Sequence, residues 1–531
     1  MRTSITPEGN FCYGLHQPSY QVKNLRSRTK LEELGKTEAD APVDNRINYP
    51  ASDIDVPEAD WIYEVPNPFP FRGTTFIGKG WADRAAEDYQ RIRLHPPAEV
   101  SFSNFSRDNG LSSKLISKLP RPLLLSLATT STDPQDLIQL AELSCRFIVD
   151  GNGTVTGLAY QSDVHGNQKP QITDHDLYEA VANNPALPDH YKIIMVIKPG
   201  AQGVSEIVGD YHDEKTHVYE YLRRNSYIGG GHYAANMADD AIRYGIETLS
   251  GNDMSGLRYL YYQRTYVRLA EMLGLTIAVE KLNQATLELL RKEIIAHPDF
   301  TAIDASATLW GWNFGFDFAP SGYRLHASHQ QIHQQYALIP PTVRTFTDGQ
   351  TECKRTFTPF SCGMMITDCL DEYRSLHGQD FFTDYYRAIR ANKRMDSRND
   401  LSSSLIIWED DQVILFVPKA QTSQWEVQLM TKQKDDFWPG NILETDERTR
   451  QSIDHGLLLA QKCLARRGAR MVTSIEFSKQ LQSTETHQPL IYCLMPKLPQ
   501  SPGAFSETQY RFINGHYPED FAAVCRQELS D

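Results

Sequence analysis

Apolar positions in this chain alternate between helical and strand spacing, and the switches outline its elements. Ala234, Ala238, Ala241, Ile242, Gly245, Ile246 and Leu249 form one stripe at helical period. Tyr259, Tyr262, Tyr266, Leu269, Ala270 and Leu273 form a second, and a third helix is predicted over 283–296, stopping at His297-Pro298. Before them, "YKIIMVIKPGAQ" (191–202) reads as a buried strand ending at Lys198-Pro199. Asp150-Gly151-Asn152-Gly153, between "CRFIV" and "TVTGLAY", predicts a tight hairpin, because Asn-Gly tolerates the positive φ of a short loop. The tyrosine stripe is the expected core of its helix rather than a stacking platform for bases. Arg258, Arg264 and Arg268 around that helix are expected on a solvated or ion-paired face.

The C-terminal part repeats this order in miniature. A strand hairpin is predicted over 404–421, then a helix carrying Ile453, Leu457, Ala460 and Leu464, then strands over 469–480 and 489–499. "MVIKPGAQ" (195–202) parallels "FVPKAQ" (416–421), and "QYALIPP" (335–341) parallels "IYCLMPK" (491–497). These short matches suggest a degenerate internal duplication. Residues 1–95 are rich in Pro, Tyr, Asp and Asn and read as an extended N-terminal arm. The first half then spans 96–345, a loop-rich connection with one helix near 379–391 spans 346–403, and the degenerate second half spans 404–531.

Composition narrows the function. At 531 residues the chain exceeds one ordinary core. With 53 Lys plus Arg against 67 Asp plus Glu, its net charge of −14 argues against nucleic acid, whose phosphates demand a basic face. A local cluster of cations can still hold one small anion. No apolar run reaches the roughly 18 residues needed to cross a bilayer, and the N-terminus lacks the apolar core of a secretory signal, so a cytoplasmic protein without membrane partners is expected. The eight cysteines are scattered with no two-residue spacing, which disfavours a structural zinc and fits reduced thiols.

The strongest candidate chemistry lies around His333. Read as a strand, 329–339 places His329, Gln331, His333, Gln335, Ala337 and Ile339 on one face and Ile332, Gln334, Tyr336 and Leu338 on the other. Imidazole and carboxamide groups then follow one another about 6–7 Å apart along one face. A neutral imidazole is a competent nucleophile towards phosphorus, and the amides can donate to phosphoryl oxygens. The plainer reading is the polar outer face of an edge strand. A third reading takes His329 and His333 as the i, i+4 pair of a helical zinc site with His326 as a further ligand. Against it, the residue after His329 is Gln330 where such a protease needs a glutamate, and "ALIPP" reads as strand. "RRNSYIGGGHYAAN" (223–236) is a glycine-rich turn into a helix that could face an anion, with Arg223 and Arg224 nearby. Lys198 and Lys419 at strand ends could face phosphate, although solvated lysines are the simpler expectation.

The order strand–Lys, helices, then "WNFGFDFAPSGYRLHASHQQIHQQYALIP" (312–340) resembles the histidine-triad superfamily, and within it the branch of galactose-1-phosphate uridylyltransferase and diadenosine-tetraphosphate phosphorylase. That branch has Asn-x-Gly, a Ser, then His-x-His-x-Gln on a strand running into Pro. Here these fall on Asn313 and Gly315, Ser328, then Gln331, His333 and Gln335, and Pro340. The resemblance implies an α+β fold of duplicated histidine-triad-like half-barrels, antiparallel sheet with helices, whose second half is degenerate and carries Pro489 opposite His333. It implies His333 as nucleophile, Gln331 and Gln335 beside it in catalysis, and Ser328, His329, His326, Asn313, Gly315 and Lys198 as nucleotide-binding positions. The implied activity is a nucleotidyltransferase or nucleotide phosphorylase that passes a nucleoside monophosphate through a covalent nucleotidyl-histidine to an anionic acceptor such as phosphate. A nucleotide or nucleotide sugar would be its substrate, no cofactor or metal is called for, and a homodimer is compatible with it. The chain departs from the pattern in having Gln331 where the first histidine of the pair stands. Two alternatives therefore stay open, a nucleotide-binding protein with altered catalysis and a metal-dependent hydrolase using His326, His329 and His333.

Overall fold

The computed structural model describes residues 3–18, 20–22, 31–49, 52–56, 59–67, 73–95, 98–162, 168–182, 184, 186–195, 249–277, 282–315, 332–346, 352–498 and 508–530. In chain order, strands β1 (Gly14–His16), β2 (Ile62–Pro66) and β3 (Thr74–Gly78) lead into helix α1 (Lys79–Glu87). Helices α2 (Gly251–Met272) and α3 (Gln284–Ala296) precede strands β4 (Ala307–Gly315) and β5 (Ile332–Ile339). Helices α4 (Cys362–His377) and α5 (Phe381–Arg390) follow, then strands β6 (Ile406–Glu409), β7 (Val413–Phe416) and β8 (Val427–Thr431). Helix α6 (Glu447–Arg466), strands β9 (Met471–Phe477), β10 (Ile491–Pro496) and β11 (Arg511–Asn514), and helix α7 (Pro518–Ser530) complete the two larger sheets and the helices packed on them.

Seven of these strands form one antiparallel sheet in the order β5-β4-β9-β10-β8-β7-β6. Strands β4 and β9 adjoin as its second and third strands, so β4-β5 runs from that junction to the near edge and β9-β10 runs from it towards β8. Side chains alternate across the sheet. Trp310, Trp312, Phe314, Val427, Leu429, Val472, Tyr492 and Leu494 belong to the core shared with α2, α3 and α6. On the opposite face Ile414, Phe416, Met430, Phe477, Ile491 and Cys493 are covered by α4 and α5. Helix α4 lies close enough to the sheet that a Cβ on Gly363 would fall 1.7 Å from the Ser478 carbonyl oxygen. A second sheet, β1-β2-β3-β11, joins residues near the start of the chain to β11, which pairs parallel with β3. A separate helical cluster over 102–195 carries its own buried residues, among them Leu137, Leu140, Leu177 and Val181.

Several expectations from the pattern hold. The helices over 259–273 and 283–296, the hairpin at 404–421, the helix with Ile453 and Leu457, and the strands over 469–480 and 489–499 are all present. The Asp150–Gly153 turn joins antiparallel strands Phe147–Val149 and Val155–Leu158, with Gly153 at φ 83° and the Asp150 carboxylate accepting from the Asn152 and Thr154 amides. The tyrosine stripe is core, as expected: Tyr259, Tyr262 and Tyr266 are buried.

Four expectations change. Residues 189–194 are a helix rather than the start of a strand. Tyr191 and Met195, four apart, both turn into the helical cluster; Tyr191 meets Phe147 edge-on at 5.6 Å and the Tyr178 hydroxyl donates to the Met195 carbonyl. Residues 346–403 hold two helices, not one, because Ile366, Leu370 and Tyr373 bury one stripe of α4 and Gly378 closes it at φ 68°. Strand β8 is a further element; it is five residues long and buried on both faces, and Met430 breaks the short alternation Val427-Gln428-Leu429. Arg258, expected on a solvated or ion-paired face, is ion-paired to Asp454 and Glu476 but wholly buried, and Lys419, expected in solvent, is buried with its partner Glu519. The predicted helix up to Ile246, and Arg223 and Arg224, lie outside the described residues.

Arg258 lies between α2, α6 and the main sheet. From α2 its guanidinium donates to the Tyr492 hydroxyl of β10 at 2.7 Å, approaches Asp454 of α6 at 3.4 Å and Glu476 of β9 at 3.9 Å, and lies 4.2 Å from the centre of the Trp310 ring. Glu476 also accepts from the Tyr261, Tyr492 and Thr308 hydroxyls. One cation thus serves two buried carboxylates. Burial raises Asp454 to about 7, with Arg258 and the Tyr262 hydroxyl pulling against it. A folded pKa above the unfolded one means that this proton stabilises the fold at low pH, and that the contribution is lost as pH rises from about 4 through 7. Asp454→Asn should abolish that slope: between about pH 5 and about pH 7.5 the native chain should lose roughly 2 kcal/mol relative to the variant in urea unfolding. Parallel stability curves would refute this assignment.

Candidate active site

The end of the main sheet that carries β5 differs from the end under α4 and α5. Register puts Asn313 of β4 opposite His333 and Gly311 opposite Gln335. Across the other edge of β4, Asn313 faces Thr473 and Gly311 faces Ile475. Two transverse rows result, His333–Asn313–Thr473–Met495 and Gln335–Gly311–Ile475–Cys493.

The alternation expected for β5 is present over its described side chains. Gln334 and Tyr336 turn towards α2. The Gln334 carbonyl oxygen accepts from the Trp310 indole N–H at 2.7 Å, and its amide donates to the Leu257 carbonyl at 3.3 Å. The Tyr336 ring lies 5.9 Å from Tyr261 and 5.7 Å from the Arg264 guanidinium. Gln335 and Ala337, on the other face, are exposed. Beside them Gly311 contributes no side chain, and a Cβ there would come within 3.0 Å of the Ser474 carbonyl oxygen. Asn313 is half-buried, and its carbonyl oxygen accepts from the Thr473 hydroxyl at 2.7 Å, which leaves the amide nitrogen as the group's donor. The face therefore offers carboxamide donors around a bare glycine position, an arrangement suited to oxygens of a phosphoryl group.

Of the residues singled out from the sequence, the structure brings Asn313, His333 and Gln335 together by register, with Gly315 at the end of β4 opposite Met471. Gln331, Ser328, His329, His326 and Lys198 lie outside the described residues. The helical zinc reading needs a helix across 329–333, whereas His333 is the second residue of a strand. Among the described residues no group of three or more His, Cys, Asp or Glu could hold a metal ion. Lys419, considered for phosphate, is buried and held by Glu519, Asn392 and the Lys393 carbonyl. Thr473 was missed; it sat in a predicted strand, but only the β4–β9 pairing places it against Asn313.

No protein-family description matches the chain, and no curated protein matches it in sequence. Among solved structures the chain is similar in part to a uridylyltransferase mutant, at 15% identity over 47% of this chain and 72% of that one, with a TM-score of 0.33. It is similar also to a galt-like protein from Arabidopsis thaliana, at 14% identity over 54% and 73%, with a TM-score of 0.35. An ADP-glucose phosphorylase from Arabidopsis thaliana with bound ADP-glucose gives 13% identity over 54% and 70%, with a TM-score of 0.34.

Gln334 holds the edge strand to the helix beneath it, so its loss should be felt in stability. Gln334→Leu leaves the Trp310 indole N–H without an acceptor and should cost about 1–3 kcal/mol in urea unfolding. Gln335→Leu, on the exposed face, should stay within about 0.5 kcal/mol of the parent. Equal effects at the two positions would mean that the faces are assigned wrongly.

Proposed function

We propose that the chain is a nucleotidyltransferase or nucleotide phosphorylase of the histidine-triad-like kind, with His333 as nucleophile. The observation that carries the reading is the place of His333 in β5. It stands opposite Asn313, in the same alternate set as the exposed Gln335, within a segment whose motif resembles that superfamily. In the reaction an imidazole nitrogen attacks the α-phosphorus of a nucleotide or nucleotide sugar. The bond from phosphorus to the leaving group's oxygen breaks, and its electron pair leaves with that oxygen. An acceptor such as phosphate or a sugar phosphate then attacks the same phosphorus, and the P–N bond returns its pair to the imidazole. Gln335, Gln331 and Ser328 donate to the phosphoryl oxygens as charge spreads over them, and Asn313 orients the group. Gly315, His326, His329 and Lys198 are assigned to nucleotide binding.

The same reading takes α2-β4-β5 and α6-β9-β10 as the two members of a duplication, the second degenerate and without a nucleophile. A cytoplasmic enzyme acting as monomer or homodimer suits such chemistry. One observation favours a second reading: Gln331 occupies the place of the first histidine of the motif, which would leave a nucleotide-binding protein without turnover.

Incubation with labelled nucleotide sugars or dinucleotides decides between them. The proposed enzyme acquires an acid-labile, base-stable label, as a phosphoramidate on imidazole does, and His333→Ala abolishes both label and turnover with the fold intact. Gln331→His should raise the rate or leave it unchanged. Full activity in His333→Ala would end the covalent mechanism, and tight nucleotide binding with no label in any variant would establish the second reading.

A further inference from the structure

On the helix side of the main sheet, away from Gln335 and Asn313, lies a cavity of about 320 Å³ walled by residues of α1, the segment after it, the approach to β8 and the Gly515-His516 turn. That volume is at the lower end of small-ligand pockets. Leu498, just past β10, lines it; β10 is three strands from β5, roughly 14 Å at about 4.8 Å per strand.

Its chemistry is distinctive in a chain of net charge −14. Arg84, Arg91 and Arg93 all line it, and no carboxylate does. Arg91 has Asp88 at 3.8 Å, but among the described residues neither Arg84 nor Arg93 is paired with an acid. Two indoles complete the wall. Trp425 is buried and stacked on Phe521 at 5.8 Å, whereas Trp81 is 57% exposed. The decisive group is His516. His516 lines the cavity, is 3% exposed and packs against Phe521 at 5.3 Å, and its buried Nε2 has no hydrogen-bond partner among the described residues. A buried polar atom without a partner costs about 1–3 kcal/mol, and a ligand that bonds it removes that cost.

We propose that this cavity is a second ligand site, taking a planar ring that carries a phosphate group, of the class of a nucleoside monophosphate. Arg84 and Arg93 hold the phosphate, since a guanidinium fork matches its oxygens. Trp81 covers the ring, and His516 Nε2 bonds a polar edge of the ring or a hydroxyl. Burial depresses the His516 pKa to about 3, so the imidazole meets its ligand neutral. The site stands apart from the open sheet face and does not depend on the reading of His333.

Calorimetric titration of the full chain with AMP and UMP, and separately with adenosine and inorganic phosphate, tests the proposal. Expected is saturable binding of at least one monophosphate, weakened at least tenfold in Arg84→Ala/Arg93→Ala and at least fivefold in Trp81→Ala. Melting temperatures of both variants should be unchanged, because all three side chains are exposed. Covalent labelling through His333, if found in the parent, should persist in both variants. No binding of either monophosphate, binding indifferent to both variants, or inorganic phosphate or adenosine alone binding as tightly as the monophosphates would overturn it.

Discussion

One guanidinium removed from water sets the arrangement of the rest. Placing Arg258 at full burial costs several kcal/mol in lost hydration, and only close, well-aligned partners offset it. Those partners come from four different elements: Asp454 on α6, Glu476 on β9, Tyr492 on β10 and Trp310 on β4. Because α2 and α6 are about 190 residues apart in the chain, satisfying this one side chain requires both helices and the sheet they pack on to be in place. The constraint reaches the candidate active site through α2. Gln334 and Tyr336 rest on that helix, and their alternation decides which face the next residues of β5 present.

Other buried ion pairs extend this logic around the sheet. Arg394 is held between Asp396 and Asp520, and Lys419 meets Glu519, so α7 is fastened by charge to the turn before β6 and the end of β7. Arg450 and Arg291 share Glu288, tying α3 to α6. Such pairs are weak contributors to net stability but strict about geometry, since a displaced partner leaves a charge buried alone. The open rows beside Gly311 stand out against them, with neutral amide and hydroxyl groups at the surface.

The legible parts of the fold were those in which one strand or helix states its own environment. The run ending at Pro340 reads as an alternating strand, and over Gln334–Ala337 the inward and exposed side chains fall as that alternation requires. The tyrosine stripe of α2 and the Asp150–Gly153 turn were likewise local facts. What stayed hidden depended on distant chain. An arginine among tyrosines on a helix reads as a solvated or ion-paired surface cation until two carboxylates some 200 residues away, Asp454 and Glu476, are known to enclose it in the core. Strand β8 is only five residues long and buries Gln428 and Thr431 along with Val427, Leu429 and Met430, so polarity does not separate its two faces. The residues of α6 and β9 could be named from the sequence, but the pairing that sets Thr473 beside Asn313 could not, because register is a property of two strands together.

The smaller sheet carries a consequence for the order of folding. Strand β3 pairs in parallel with β11, and the Tyr517 hydroxyl reaches Asp83 across 434 positions of chain. Closing so long a loop costs entropy that nearby contacts do not repay, and contacts of this kind form late. Until β11 arrives, the edge of β3 offers an unsatisfied row of amides and carbonyls to any extended segment that meets it. The β11 strand of a second copy fits that edge as well as the chain's own, so the step most exposed to exchange between molecules is the one that brings the two distant ends of the sequence together.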